Sequence, residues 1–320
     1  MKAAVYHRYG PPDVVRIEEV PTPQPKANEL LVKVRATTVS AGDSRLRSAR
    51  VPPGFGLLMR LGFGFSGPRR PILGFEFAGE VAAVGASVTR FAVADKVVGT
   101  RMGSHAEYIA ASETSIAPIP PTLTFEQAAA LVFGGMTSLF YLRDLARIQQ
   151  GERVLINGAS GAVGTAAVQL ARHFGATVTG VCSTPNEALV RSLGAGRVID
   201  YTRQDFTQTG ETYDVILDAI GNCSFVRCQR ALAPGGRLLL VVAGLGQMIG
   251  AMLRPSRGGR KVLTGVSVTR TEDLSFLAAL AESGSFKPVI DRTYPLAHIV
   301  DAHRHVDTGR KRGNVVITFS

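Results

Sequence analysis

Three glycines, Gly158, Gly161 and Gly164, stand between a short apolar run and a segment with helical periodicity, in RVLINGASGAVGTAAVQLAR. In such a turn the first glycine permits the sharp reversal, the second lets a diphosphate approach the backbone, and the third lets helix and strand pack closely. The free N–H groups of Ala162 and Val163, at the positive end of the helix dipole, then bind the negative charge. The segment therefore predicts a dinucleotide-binding turn, and the alternative is a glycine-rich turn without a ligand.

The end of the next predicted strand, residues 177–182, selects between the two pyridine dinucleotides. NAD-binding turns place an Asp or Glu there for the ribose 2′-hydroxyl, whereas this chain continues with Ser183, Thr184, Pro185 and Asn186 and has no acid before Glu187. Hydroxyl and amide groups can donate to a 2′-phosphate that a carboxylate would repel. The pattern favours NADPH, with NADH as the alternative cofactor.

Metal-ligating residues are sparse. The chain has only 3 Cys, none before Cys182, and its 6 His stand in unrelated contexts. We therefore expect no zinc site and no disulfide framework. No window of about 20 apolar residues predicts a membrane span, and the N-terminal segment does not resemble a secretory signal. These features predict a soluble, cytoplasmic protein.

The charge balance of 36 basic against 25 acidic residues, +11 in all, raises the question of anionic partners. The basic residues are scattered, Trp is absent, and no nucleic-acid-binding motif is present. We expect no nucleic-acid partner. A small anionic ligand, or weak peripheral contact with an anionic membrane, accounts for the charge with fewer assumptions.

The elements that position these residues fall into two parts. The first 120 or so residues alternate short apolar runs with Gly and Pro, which is typical of a β-rich domain. Residues 51–71 carry phenylalanines among glycines and are predicted to form an irregular segment, either a surface loop or a cover over substrate. After Thr124, a predicted N-cap, a helix is expected to break near Gly134 and Gly135 and to resume over residues 137–148.

From residue 153 onward, apolar strands alternate with amphipathic helices, which predicts a parallel sheet covered on both faces. The fold class is therefore α/β. An apolar run at residues 261–268 is expected at the edge of this sheet, where it would pair with a second copy in a homodimer. The last strand, residues 314–319, is expected to pair back into the first domain.

The whole pattern resembles the zinc-independent quinone oxidoreductase branch of the medium-chain dehydrogenase/reductase superfamily. The resemblance rests on MKAAVYHRYG, VSAGDSRLR, ILGFEFAGEVAAV, GGMTSLFY, LGAGRVIDY and GNVVIT, besides the glycine turn. The C-terminal segment is most similar to chloroplast-envelope homologues and bacterial relatives. The resemblance implies a GroES-like domain (residues 1–121 and 286–320), a Rossmann domain (residues 122–285) and an active site between them.

The resemblance also implies which residues bind the cofactor. Beyond the glycine turn, these are Thr137, Ser183, Thr184, Asn186, Tyr201, Ile220, Gly221, Ala243, Gly244, Gly313 and Asn314. The chain departs from this branch in two places. Pro185 replaces a Lys or Arg that would pair with the 2′-phosphate, and Ser40-Ala41-Gly42-Asp43 replaces the Asn-Pro-x-Asp motif, with Arg45 in place of its following Lys. Phe75 and Asp43 stand where zinc-dependent members have His and Cys, which agrees with the expectation of no zinc site.

The implied reaction is hydride transfer from NADPH to a quinone or to the C=C bond of an α,β-unsaturated carbonyl, with a small apolar substrate. Arg45 and Ser40 are the candidate donors to the acceptor oxygen, and Asp43 is expected to orient Arg45 or a backbone turn. Two alternatives remain at this point. One is an alcohol or aldehyde dehydrogenase, and the other is a catalytically quiet NADPH-binding scaffold.

Overall fold

A computed structural model describes residues 1–253 and 257–319 of the chain. The strands are β1 (Lys2–Tyr6), β2 (Val15–Glu19), β3 (Glu29–Val39), β4 (Glu76–Val84), β5 (Lys96–Thr100), β6 (Tyr108–Ser112), β7 (Ile116–Pro118), β8 (Arg153–Asn157), β9 (Thr177–Cys182), β10 (Arg197–Asp200), β11 (Tyr213–Asp218), β12 (Leu232–Leu240), β13 (Lys261–Leu263), β14 (Ile290–Pro295) and β15 (Asn314–Thr318). The helices are α1 (Ala41–Ser48), α2 (Gly56–Phe63), α3 (Phe125–Leu139), α4 (Ala162–His173), α5 (Glu187–Ser192), α6 (Phe225–Cys228), α7 (Leu245–Leu253), α8 (Thr271–Glu282) and α9 (Ile299–Asp307).

The second half of the chain forms a six-stranded sheet in the order β10-β9-β8-β11-β12-β13, and every pair is parallel. Counted along the chain from β8, this is the 3-2-1-4-5-6 order of a doubly wound dinucleotide-binding sheet. The order reverses between β8 and β11, whose carboxyl ends carry the paired residues Asn157 and Asp218. Ligands of such sheets bind at this edge, which is where the glycine turn lies.

Strands from the first part of the chain and the two C-terminal strands form a separate, seven-stranded sheet. Its order is β14-β15-β3-β4-β5-β7, with β6 paired to β3. The C-terminal strand β15 lies antiparallel to β3, with Val315 opposite Val39. The prediction that the tail returns to the first domain is thereby confirmed, as is the α/β fold class. The predicted domain boundaries at residues 121 and 286 remain a prediction.

Helix α3 connects the two sheets along the chain, since it follows β7 and precedes β8. It starts at the predicted cap Thr124, whose side chain accepts from the N–H of Gln127 in a capping box. The predicted break at Gly134 and Gly135 is wrong, because the helix continues to Leu139 and passes into a π-helical turn, Phe140–Leu145. A Cβ at Gly134 would lie 2.2 Å from the carbonyl oxygen of Ala162. Gly134 therefore allows α4 to pack closely against α3, and it does not interrupt α3.

Two further sequence expectations need correction. Residues 51–71 are not irregular throughout, since they contain α2. The edge strand predicted over residues 261–268 is only Lys261–Leu263. The C-terminal region also contains β14 and α9 before the last strand, elements that the sequence analysis did not anticipate. Among the described residues, no helix is long and apolar enough to cross a membrane.

Candidate functional site

The glycine turn joins β8 to α4, and each of its three glycines meets a different environment. Gly158 has a φ of +83°, and a Cβ at Gly164 would lie 2.0 Å from the carbonyl oxygen of Gly158. These two positions are therefore fixed by the protein's own packing. At Gly161 the nearest atom to an added Cβ is 3.7 Å away. The protein itself leaves this position free, and the space is available to a ligand.

The N-terminus of α4 has no side-chain cap, unlike those of α1 and α3. Gly161 is its N-cap residue, and Ala162 and Val163 form its first turn. The N–H groups of this turn have no acceptors within the helix, because they precede the first intrahelical bond. Together with the helix dipole they form a site for a diphosphate. The uncapped turn therefore fits the predicted dinucleotide.

Asp218, which the sequence analysis missed, holds the loop after β11 against the glycine turn. Its carboxylate accepts from the amide of Asn157 at 2.8 Å and from the N–H groups of Ile220, Gly221 and Cys223 at 3.1, 3.2 and 2.9 Å. The loop is thus held with Ile220 above Gly158, where a Cβ would lie 2.5 Å from the isoleucine side chain. The available signal was an acid directly after the apolar run of β11.

The segment after β9 also contacts the turn. Asn186 donates through Nδ2 to Ser160 Oγ at 3.1 Å and to Ser183 Oγ at 3.3 Å. Its Oδ1 is buried and has no hydrogen-bond partner among the described residues. This oxygen is an acceptor suited to a ligand hydroxyl. The structure therefore brings Ser183 and Asn186 to the glycine turn, as the predicted adenosine site requires.

A carboxylate lies closer to the adenosine site than the sequence suggested. Asp200 ends β10 opposite Cys182 of β9 and accepts from the Thr184 hydroxyl. This hydrogen bond lowers the pKa of Asp200, although burial opposes the shift. Arg203 Nε lies 3.6 Å from the same carboxylate, and its side chain is largely exposed, as is Tyr201. A cation that the sequence analysis overlooked thus stands beside two predicted adenosine contacts.

The C-terminal segment closes the other side of the turn. Gly313, with a φ of +62°, donates its N–H to the carbonyl of Ser160 at 2.8 Å and bridges to Gly161. Asn314 is buried and donates to the carbonyl of Val289 at 3.1 Å. Lys311 donates to the carbonyl of Gly313 at 2.5 Å, and burial lowers its pKa to about 8. Gly313 therefore lies at the turn, while the Asn314 side chain is engaged within the protein.

Three other residues predicted to contact the cofactor lie on neighbouring elements. The loop after β12 contains Ala243 and Gly244, and the next residue, Leu245, donates its N–H to the carbonyl of Pro53 at 2.9 Å. The segment before α2 therefore contacts the start of α7, just after the loop that follows β12. Thr137 lies one helical turn beyond Gly134 on α3, and so on the side that approaches α4.

The three candidate catalytic residues lie on α1 and immediately before it. Ser40 and Asp43 form a capping box, in which the serine hydroxyl donates to Asp43 Oδ2 at 2.6 Å. The other carboxylate oxygen accepts from the N–H of Gly74 at 2.9 Å. Arg45 is half-buried, and burial lowers its pKa. Its guanidinium makes no hydrogen bond or ion pair with any residue that the structure describes.

Comparison with known proteins places this arrangement in a family. An alcohol dehydrogenase GroES-like domain matches residues 26–121, and a zinc-binding dehydrogenase domain matches residues 193–317. A 2-methylene-furan-3-one reductase from Solanum lycopersicum is 32% identical over 99% of this chain and 79% of its own length. The chain belongs to the quinone oxidoreductase-like branch of the medium-chain dehydrogenase/reductase superfamily.

Other members of the superfamily agree with this assignment. The NADPH-dependent alkenal/one oxidoreductase of Arabidopsis thaliana is 31% identical over 99% of this chain and 79% of its own length. The structure of the quinone oxidoreductase from Coxiella burnetii superposes with a TM-score of 0.89 at 30% identity and covers 99% of each chain.

The zinc named in one matching domain does not fit the residues that this member of the superfamily provides. Where the resemblance places a Cys and a His of zinc-dependent members, this chain has Asp43 and Phe75, and Glu76 follows directly. Glu76 is buried and accepts from the Thr38 hydroxyl at 2.7 Å. Burial and the nearby Asp43 raise the pKa of Glu76 to about 8, so its anionic form is disfavoured. Among the described residues, no group of three or more His, Cys, Asp or Glu side chains could hold a metal ion.

Proposed function

We propose that this protein is an NADPH-dependent reductase that transfers hydride to quinones or to the C=C bond of α,β-unsaturated carbonyls. The observation that carries the proposal is the uncapped first turn of α4, beside the open Gly161 at the switch point of the sheet. Two of the similar proteins are a quinone oxidoreductase and an alkenal/one oxidoreductase, which supports this acceptor class. A small apolar carbonyl or quinone is the substrate that we propose.

A bound nicotinamide supplies the hydride, and the chain must stabilise the negative charge that develops on the acceptor oxygen. Arg45 is our candidate for this task because its half-buried guanidinium has no partner among the described residues. Burial costs the Arg45 guanidinium part of its hydration energy, and an anionic oxygen beside the guanidinium would offset that cost. We assign Ser40 and Asp43 a different task, since their mutual hydrogen bonds hold the start of α1 and thereby position Arg45. Solvent protonates the product anion.

We also propose that Arg203 provides the preference for NADPH over NADH. Pro185 occupies the position at which the resemblance implies a basic residue. Arg203 instead places an exposed cation beside the Asp200 carboxylate, which accepts a hydrogen bond from Thr184. An Arg that can leave a weak ion pair for a doubly charged phosphate gains the stronger interaction. Ser183, Thr184 and Tyr201 would complete the 2′-phosphate site.

A homodimer is the assembly that we propose. Strand β13 is the edge of the six-stranded sheet, and Val266 and Val268, which follow it, are exposed. An exposed edge with apolar side chains favours pairing with a second copy. Light scattering would test the dimer, and a monomeric mass would contradict it.

The three cysteines are buried and form no disulfide, which supports a reducing compartment such as the cytoplasm.

Turnover with purified protein tests the proposed activity. NADPH absorbance is expected to fall only when a quinone or an enone is added, and a chelator is expected to have no effect. Binding of NADPH without turnover on any acceptor would favour the scaffold. Activity that a chelator removes and zinc restores would contradict the metal-free mechanism, and turnover of simple alcohols would favour a dehydrogenase.

A further inference from the structure

Helix α2 presents an apolar surface to solvent. Leu57, Leu58, Leu61 and the nearby Phe65 are 64%, 53%, 50% and 52% exposed, whereas Met59 on the same helix is buried. Leu57 and Leu61 are four residues apart, and Leu58 and Leu61 are three apart, so these leucines share one side of the helix. Clustered exposure of this kind marks a contact surface rather than ordinary surface variation.

The chain segment that carries these side chains has positive charges and no negative ones. Residues 44–75 contain six arginines and no Asp or Glu. Arg60 donates to the backbone carbonyl of Phe65 at 2.7 Å, so its charge is not neutralised by that bond. Arg60 and Arg69 both lie close enough to Tyr9 to oppose the rise in its pKa that burial causes. Among the described residues, no carboxylate forms an ion pair with Arg60, Arg69 or Arg70.

We propose that the α2 face, comprising Leu57, Leu58, Leu61, Phe65, Arg60 and Arg69, docks on the surface of an anionic lipid membrane. The leucines and the phenylalanine would enter the boundary between headgroups and acyl chains, and the arginines would lie at the lipid phosphates. An exposed apolar face edged by cations is the pattern of interfacial helices, and each cation near an anionic surface adds to the attraction. This docking does not depend on the proposed reductase activity.

The charge pattern favours lipid over a second copy of the chain. A symmetric contact through the α2 face would bring Arg60 and Arg69 close to their own counterparts. The segment that carries them has no acidic residue to offset the repulsion. A nucleic acid would use the arginines but leave the leucines and Phe65 exposed to water. An anionic bilayer satisfies both the apolar and the charged side chains.

The absence of Trp from the natural sequence makes a direct test simple. In Leu58→Trp the new indole is the only one in the protein, and its emission is expected to shift to shorter wavelength when vesicles of phosphatidylcholine and phosphatidylglycerol are added. Vesicles of phosphatidylcholine alone should cause a much smaller shift. Val93→Trp, at an exposed apolar position in another loop, is the matched control and should not respond. Equal response of both variants, or of neither, would overturn the proposal.

Co-sedimentation of the full chain with the same vesicles tests the two kinds of side chain separately. Leu57→Ser with Leu61→Ser, and Arg60→Gln with Arg69→Gln, are each expected to weaken binding about tenfold. Val93→Ser and Arg90→Gln are the controls and should bind like the parent. Unchanged NADPH affinity would show that the variants fold. If the leucine pair instead halves the mass of a dimer without changing vesicle binding, the α2 face is an interface between copies and the proposal is wrong.

Discussion

The N-termini of α4 and α1 both carry residues that the sequence analysis predicted to be functional. They differ in whether the protein's own side chains satisfy their polar groups. At α1 the capping box uses the Ser40 hydroxyl and Asp43 Oδ2, and Asp43 Oδ1 accepts from the N–H of Gly74. At α4 no side chain caps the helix, and Gly161 has open space beside it. We therefore expect that availability of the polar groups, rather than residue type, separates the proposed binding site at α4 from the structural N-terminus of α1.

Substitution at Gly161 should produce the largest effect. Gly161→Asp places a carboxylate at the site of the diphosphate, and we expect no measurable NADPH binding by fluorescence titration. Gly161→Ala should fold normally, because its Cβ would meet no atom closer than 3.7 Å. Gly164→Ala is the structural contrast, since its Cβ would lie 2.0 Å from a backbone carbonyl, and its melting temperature should fall. NADPH affinity that is unchanged in Gly161→Asp would refute the assignment of this turn.

Arg45 should show the next largest effect, and only on catalysis. Arg45→Gln removes the proposed donor to the acceptor oxygen, so kcat is expected to fall about 100-fold while NADPH affinity stays the same. Arg45→Lys should restore part of the rate because it restores the charge. Steady-state kinetics with one quinone and one enone would measure both variants. A parental kcat in Arg45→Gln would leave α1 without a catalytic role.

Arg203 tests the adenosine end of the cofactor site. Arg203→Gln should raise KM for NADPH about tenfold and leave KM for NADH unchanged, because only NADPH carries the 2′-phosphate. Arg230→Gln, an exposed arginine on another loop, serves as the control for net charge. Parallel changes in both KM values would place Arg203 outside the specificity site.

The sequence predicted the six-stranded sheet because short, largely apolar runs bounded by turn residues recur after residue 153. Strand β12 is the exception, since its sequence LAPGGRLLL contains turn residues and an arginine. Strand β9 was predicted at its observed bounds, Thr177–Cys182. Local pattern failed where a distant contact decides the structure. Gly134 was interpreted as a helix break, but it is the point where α4 approaches α3.

The same limit applied to the candidate site. The residues of the glycine turn were predicted because their roles are local to one strand–turn–helix unit. Asp218 was missed although the loop it holds follows it directly, and only its contact with Asn157 depends on strand pairing. Asp200 was missed because strand pairing, which sequence does not show, brings it opposite Cys182 and to Thr184. The expectation of no acid near the adenosine site failed for this reason. The roles of the predicted catalytic residues remain predictions.

Ser40→Ala should have the smallest effect, and it should appear in stability rather than chemistry. The substitution removes the N-cap acceptor for Asp43 N–H and the hydroxyl that donates to the Asp43 carboxylate, while the bond from the Ser40 backbone N–H persists. Loss of an N-cap costs about 1 kcal/mol of unfolding free energy, which urea denaturation would measure. Because the cap positions Arg45 only indirectly, kcat should fall far less than in Arg45→Gln. A loss of kcat as large as that in Arg45→Gln, with parental stability, would make Ser40 a catalytic donor and would remove the contrast between α1 and α4.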